Sequence, residues 1–411
     1  MPKAWLSKSI TLLIILIFIS TSFVFAQENN ESKDGILKLS LKDAVKIAEE
    51  NNQQVKLSKL GLEKAELARE QYRYQDKKTG KLEDEIKKAI EQWNQLPEEK
   101  QKELEEEGLK PVNPGISSSF EYTYAMDLLE KQTEVGVKLS EVGIDVTVKG
   151  INFGIEAAYY GVLLAEENTA IAQAAVSRYQ DMLQIAKAKF KAGAITKNEV
   201  LDAQVQLSKA EADLLKAESE EEKAYMNLKK LIGLPLDRAI ELTDSFKDKP
   251  DDFDKTLDEL LEAAEKNRID IMSAEGAFEI AELDFKLSSK AYPSNTFIYK
   301  EKEYAMEEAH LKLQDTKSAA EAQIRAIWLD FENAKVNIPV LDKALEMAEE
   351  SLRLAKLSYE AGLIRSVDVA VAEEGLKQVQ VQRLGAIYNY NLARLKLENA
   401  TYFSVSGNLT F

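Results

Sequence analysis

Cysteine is absent from all 411 residues, which excludes disulfides, thiolate metal sites and a cysteine nucleophile. Histidine occurs once, as His310, and a lone histidine on a helix carries no chemistry by itself. There is no glycine-rich phosphate loop and no His-Glu-x-x-His pattern. Acidic runs such as Glu220-Glu221-Glu222 and Glu349-Glu350 read as solvated helix faces. An enzyme, a cofactor and a metal centre are therefore not expected. Basic residues are outnumbered, 54 Lys and Arg against 71 Asp and Glu, and form no cluster, so nucleic acid is not an expected partner. Glycine (17) and proline (8) are scarce, and what fills their place is Ala, Leu, Glu, Lys and Gln, the composition of long helices and coiled coils. After residue 26 no run is apolar enough to cross a bilayer as a helix.

The first 26 residues read differently. Lys3 and Lys8 precede a nearly unbroken apolar run, Ile10 to Phe18, and Val24-Phe25-Ala26 has the form of a signal-peptidase site. This predicts an exported chain with residues 1–26 as its signal peptide; a retained membrane anchor is the alternative. Removing those two lysines takes the net charge from −17 to −19.

Apolar residues recur in alternating steps of three and four over long stretches. One seam runs through Ile155, Val162, Ala172, Val176, Tyr179, Leu183 and Phe190, and another follows through Ala203, Leu207, Ala210, Leu214 and Leu228. Ile324, Phe331, Ile338, Leu345, Leu352 and Tyr359 form a third, and Val369, Leu376, Arg383, Tyr390 and Leu397 a fourth. A sustained period of 3.5 predicts helices that supercoil left-handed around a partner. Leu163, Leu164, Ile171, Ile185, Val205 and Leu215 lie off the seams, which predicts that each helix meets more than one neighbour. Arg383 and Glu221 sit within seams, where a polar residue fixes register.

The seams belong to a duplication. Residues 186–203 and 355–372 share seven of eighteen residues at a constant offset of 169. Gly193 and Gly362 fall where a helix ends on a left-handed residue, and Thr196 and Ser366 are positioned to cap the next helix, Thr196 with Glu199 as a capping box. So short a connection makes the flanking helices antiparallel neighbours. The helix entering the first turn is expected to start near Ser118, and Pro339 should kink its counterpart. Upstream, Ala48-Glu-Glu-Asn51 matches Ala264-Glu-Lys-Asn267 at an offset of 216. The larger offset locates an insertion in the first copy, about 79–115, which reads as a charged helix, turn and helix. The expected fold is all-α: long antiparallel coiled-coil hairpins in two tandem repeats, 27–236 and 237–411.

These residues resemble the TolC family of outer membrane efflux proteins. Leu39-Ser-Leu41-Lys-Asp43-Ala44 through Asn52 resembles the family's opening helix, and Tyr159-Tyr160-Gly-Val-Leu163-Leu164-Ala165 the start of its long helix. Phe190-x-x-Gly193 and Tyr359-x-x-Gly362 are similar to its two tip turns, and Leu228-x-x-Leu231-Ile232-Gly233 to the end of its first half. The resemblance implies a homotrimer in which twelve helices, four per subunit, enclose a passive export tunnel. Its tips would meet a periplasmic membrane-fusion adaptor and an inner-membrane pump, and the oligomer's other end would meet the outer membrane. Phe190, Gly193, Ile195, Thr196, Tyr359, Gly362 and Ile364 would then form the docking turns. Asp368 matches a family acid at the tunnel entrance, a second such acid would fall at Val371, and Glu199 and Asp202 lie near the first tip. All three acids equally suit the positive N-terminal end of a helix.

One departure stands out. The family closes a membrane barrel from strand pairs, and a spanning strand needs about nine to eleven residues with an apolar face. Residues 292–303 are too few and too charged for two such strands; Ile116–Tyr124 alternates weakly, and Val142–Val148 fits a heptad as well as a strand. Little or no β-barrel is expected, and helix is favoured over 142–148. The C-terminal segment Tyr402–Phe411 reads as one short strand or a frayed tail. A barrel-less coiled-coil spacer or adaptor of the cell envelope is therefore the alternative to an efflux duct.

Overall fold

The computed structural model describes residues 36–112, 115, 119–245 and 253–405. The expected signal peptide, Pro114, Pro250 and the last six residues lie outside them. The described residues fall into two compact units. The smaller joins the segment ending at Leu39 to Asp237–Thr243, and the larger holds Ser40–Leu236 and the chain from Asp244 onward. In the smaller unit β1 (Leu37–Leu39) pairs in parallel with β2 (Ile240–Leu242), Leu37 opposite Ile240 and Leu39 opposite Leu242. These two strands are the only ones among the described residues.

The larger unit is helical throughout: α1 (Leu41–Asn51), α2 (Gln53–Asn94), α3 (Glu98–Glu106), α4 (Phe120–Lys191), α5 (Lys197–Ile232), α6 (Leu257–Asn267), α7 (Ile269–Ala291), α8 (Phe297–Glu360) and α9 (Ser366–Ala400). Local chemistry sets the ends. Ser40 and Asp43 form a capping box on α1, and Thr256 and Glu259 form one on α6. The two boxes stand 216 residues apart and each opens an 11-residue helix, so the upstream duplication is structural. Ser119 caps α4, and Lys189 and Lys191 place positive charge in its last turn, where the helix dipole favours it. At 72 residues α4 is roughly 108 Å long at 1.5 Å per residue.

Near the two tip turns the helices pack in the row α5–α4–α9–α8; toward the opposite end the row is α2–α4–α7–α8. Every seam residue named above is buried or half-buried except Phe190 and is shared between neighbouring helices. The largest core cluster surrounds Phe331, which stacks within 5.3 Å of Phe253 and 4.9 Å of Tyr390. Full burial of each such side chain contributes about 1.5–3 kcal/mol. Where α4 crosses α7 only glycine fits: a Cβ on Gly276 would lie 2.5 Å from Val135.

The insertion is the expected charged helix, turn and helix: α2 runs on to Asn94, residues 95–97 turn, and the short α3 follows. Helix α8 runs undivided through Pro339. Residues 142–148 are helical as favoured, residues 120–124 are helical as well, and 402–405 form turn and coil. The strand pair β1–β2 escaped the sequence reading because three residues carry no period. Five residues, Tyr292–Thr296, join α7 to α8 without a strand.

Candidate functional site at the hairpin tips

Both tip turns end a helix in the same way. Gly193 has φ +75° and Gly362 φ +77°, the left-handed conformation that glycine adopts without a Cβ clash. Ala194 N–H donates to Lys189 O at 2.9 Å and Leu363 N–H to Ser358 O at 2.9 Å, the long-range bond of a Schellman cap. Thr196 opens α5 by accepting from Glu199 N–H at 3.4 Å. On the second tip the expected capping role of Ser366 is wrong. Arg365 holds the cap position, Ser366 is the buried first residue of α9, and Arg365 N–H donates to Asp368 Oδ2 at 2.9 Å. The Asp368 carboxylate closes the cap residue's own N–H, and the Asp368 N–H that a cap hydroxyl would take donates instead to Arg365 O at 3.0 Å.

The two tips lie side by side. Lys189 Nζ donates to Tyr359 O and sits 4.1 Å from the centre of the Tyr359 ring, tying α4 to α8. Tyr359 is buried; burial first, and then the nearby Glu199 carboxylate, raise its phenol above the usual tyrosine range. Ile195 packs on Leu183, Ala186 and Ala203, and Ile364 on the cluster that holds Tyr359 and Val369. Phe190, Leu363, Asp202 and Asp368 face outward. Thus the structure joins Lys189 and Tyr359 of different hairpins, buries Ile195 and Ile364 in part, and leaves Asp202, Asp368 and Phe190 for solvent or a partner.

Above the turns, polar ties join the helices, two of them between the hairpins and one within the second. Arg178 of α4 pairs with Glu373 of α9, which is 1% exposed. Lys377 of α9 pairs with Asp213 of α5, and Arg383 of α9 with Asp342 of α8 at 2.6 Å. Of these residues the sequence singled out Arg383 alone, as a charge within a seam. Tyr179, packed beside the Arg178 pair, is pushed up to about 12, by burial first and then by Glu373 and Glu374. An unfolded tyrosine ionises near pH 10. Below that value both states hold the proton and stability does not respond. From pH 10 to about 12 the unfolded chain loses protons that the native chain keeps, so stability falls as pH rises. Phenolate absorbance should show a late-titrating fraction in the native protein that shrinks in Tyr179→Phe; an unchanged titration curve contradicts this environment for Tyr179.

The fold and part of the sequence match known proteins. The family described as outer membrane efflux protein matches residues 151–234, which cover the lower part of α4, the first tip turn and α5. Over that stretch the chain is similar to the outer membrane efflux proteins. The outer membrane channel CmeC of Campylobacter jejuni superposes with a TM-score of 0.63 at 15% identity, covering 88% of this chain and 85% of that one. The outer membrane protein VceC of Vibrio cholerae gives 0.62 at 17% identity, covering 88% and 94%. A membrane protein from Pseudomonas aeruginosa gives 0.63 at 15% identity, covering 89% and 91%. No curated protein sequence matches. The helical fold is that of these channels, while the described residues contain no strand beyond β1 and β2.

Proposed function

We propose that the chain is one subunit of a passive homotrimeric efflux duct. It is exported to the outer membrane and periplasm, and its tips dock a membrane-fusion adaptor joined to an inner-membrane pump. In this reading 27–236 and 237–411 are the two tandem repeats, Phe190, Gly193, Ile195, Thr196, Tyr359, Gly362 and Ile364 present the docking turns, and Glu199, Asp202 and Asp368 ring the entrance.

The observation that carries assembly is a pair of uncovered seams on the outer helices of the tip-end row. Helix α5 exposes Leu201, Val205, Leu215 and Met226; α8 exposes Leu329, Val336, Val340, Met347, Leu354 and Leu357. The α8 line steps by three, four and seven, and the α5 line by four, ten and eleven, sums of the same coiled-coil steps. Their heights agree. Lys377 ties α9 to Asp213 on one side, and Arg383, six residues on, ties it to Asp342 on the other. Since α8 and α9 are antiparallel, Asp213 is level with about residue 348 by that six-residue step. Leu215 and Met347 therefore stand at nearly one height on opposite edges. A patch at one edge that fits another patch at the far edge makes a head-to-tail contact, which closes into a ring.

Light scattering on the chain lacking residues 1–26 should give the mass of a trimer, and Val336→Asp should give a folded monomer. A wild-type monomer overturns the duct. The alternative, a structural coiled-coil spacer or adaptor of the envelope, is favoured by the strand-free connection between α7 and α8. Cell fractionation separates the two: outer-membrane residence supports the duct, and a soluble or wall-associated pool supports the spacer.

A further inference from the structure

We infer that a hollow between α4, α5 and α9 is a binding site for a protonated primary amine carried on an apolar chain. The hollow lies within one subunit, so the inference goes beyond the assembly reading and does not depend on it. Two adjoining cavities form it, of about 270 Å³ and about 550 Å³, and both are lined by Ala172, Asp213 and Lys377. The smaller is polar and the larger mostly apolar. None of the acids assigned to the tunnel entrance, Glu199, Asp202 or Asp368, lines either cavity.

The need for a donor comes from Glu373. This side chain is 1% exposed and walls the smaller cavity. Its Oε1 accepts from Arg178 Nε, while its Oε2 is buried with no hydrogen-bond partner. A buried carboxylate oxygen without a donor is costly, and the low local dielectric raises that cost. Asp213 is already paired with Lys377, and Glu374 and Lys209 stand on the exposed rim. Arg178, whose Nη2 also lacks a partner, lines neither cavity, so a guest meets the glutamate and not the guanidinium. An ammonium brings both an N–H donor and the opposite charge, the combination that makes the stronger hydrogen bonds. Among the described residues no three acidic or histidine side chains stand close enough to hold a metal ion, which points to an organic cation.

The larger cavity selects the rest of the ligand. Beyond Ala172 its surface is made by Gly161, Leu164 and Ala165 of α4, Ala217 and Ala224 of α5, and Val381 of α9. A Cβ at Gly161 would meet nothing within 4 Å, so the groove is open along α4 there. An alkyl chain leading from Glu373 past Ala172 covers this apolar surface, which favours binding without further polar contacts. Charge alone would not use the larger cavity, and an apolar chain alone would leave Glu373 Oε2 without its donor.

Hexylammonium is the probe, titrated by saturation-transfer NMR against the chain lacking residues 1–26. It should bind saturably. Hexanol lacks the charge and hexyltrimethylammonium lacks the N–H donors, so each should bind roughly tenfold more weakly or worse. Glu373→Gln should weaken hexylammonium by a similar factor, because an amide that keeps its oxygen on Arg178 presents its own N–H groups to the cavity. Ala212 lines the smaller cavity from its exposed side, and Ala212→Trp should block binding while leaving the Arg178–Glu373 pair intact. No saturable binding by the wild type would mean that Arg178 grips both carboxylate oxygens in solution, and the site is then overturned. Equal affinity for hexyltrimethylammonium overturns it too, since the donor is then irrelevant. Should Glu373→Gln fail to fold, Ala212→Trp decides: undiminished binding there places the amine elsewhere and the proposal falls. A chain that light scattering finds monomeric and that still binds hexylammonium with these preferences upholds the site while the duct falls.

Discussion

Val176→Asp lowers the melting temperature by roughly 8 °C, whereas Val336→Asp leaves the subunit's own stability nearly unchanged. The two valines look alike in the sequence, each embedded in a 3.5-residue period. Val176 is 4% exposed and packs with Tyr179, Ala210 and Leu376 where three helices meet; Val336 is 62% exposed on the outer face of α8. An aspartate at 176 loses the valine's burial and must either keep a charge away from water or take up a proton to lose it. The combined loss is about 4 kcal/mol, at the upper end for single substitutions. At about 2 °C per kcal/mol for a chain of several hundred residues, this gives the shift stated above. Aspartate at 336 meets solvent in the subunit and an apolar rung in the assembly, so it should abolish assembly without unfolding the chain. Differential scanning calorimetry and light scattering on both variants check this. Equal melting for Val176→Asp and wild type would mean that the seam around Val176 is not a core, and a trimeric Val336→Asp would remove the α8 edge from the interface.

That contrast shows where sequence reasoning stops. Period and spacing located the four seams, the two glycine turns and the duplication because each is a local or repeated pattern. The 169-residue and 216-residue offsets survive as matched turns and matched capping boxes. Nothing local distinguishes a seam covered by the same chain from one left for a neighbour. Ile338 and Val336 differ by two residues and face opposite surroundings, one 8% and the other 62% exposed. Nor does any period announce an ion pair between residues 195 apart such as Arg178 and Glu373. The first copy's Arg178 corresponds to Met347 in the second, so the repeat itself gives no signal. Ser366 misled for a different reason: serine is a good cap in general, but here the backbone of Arg365 and the carboxylate of Asp368 already close the helix.

Glu373→Ala should destabilise the tip half by about 3 kcal/mol, while the double variant Arg178→Met/Glu373→Leu should recover most of that loss. The carboxylate is almost fully buried and paired with Arg178, yet its second oxygen and one guanidinium nitrogen of Arg178 are buried with no hydrogen-bond partner. Removing one charge strands the other at a cost of about 3–5 kcal/mol; the partial exposure of Arg178, 22%, places the expectation at the lower end. Replacing both by apolar residues of similar volume avoids the desolvation of two ions, and for buried pairs this is commonly neutral or better. Keeping the pair is then worth little to stability, and its contribution lies in the register between α4 and α9. The geometry makes that contribution specific. A slip of one turn, about 5.4 Å, would move Glu373 opposite apolar positions of α4 and leave both ions unpaired. The double variant should therefore melt near the wild-type temperature but show faster amide exchange along α9 between the tip turn and Arg383. Equal exchange in both proteins would leave the pair without a positioning role, and a double variant as weak as Glu373→Ala would mean that the ion pair itself holds the two hairpins together.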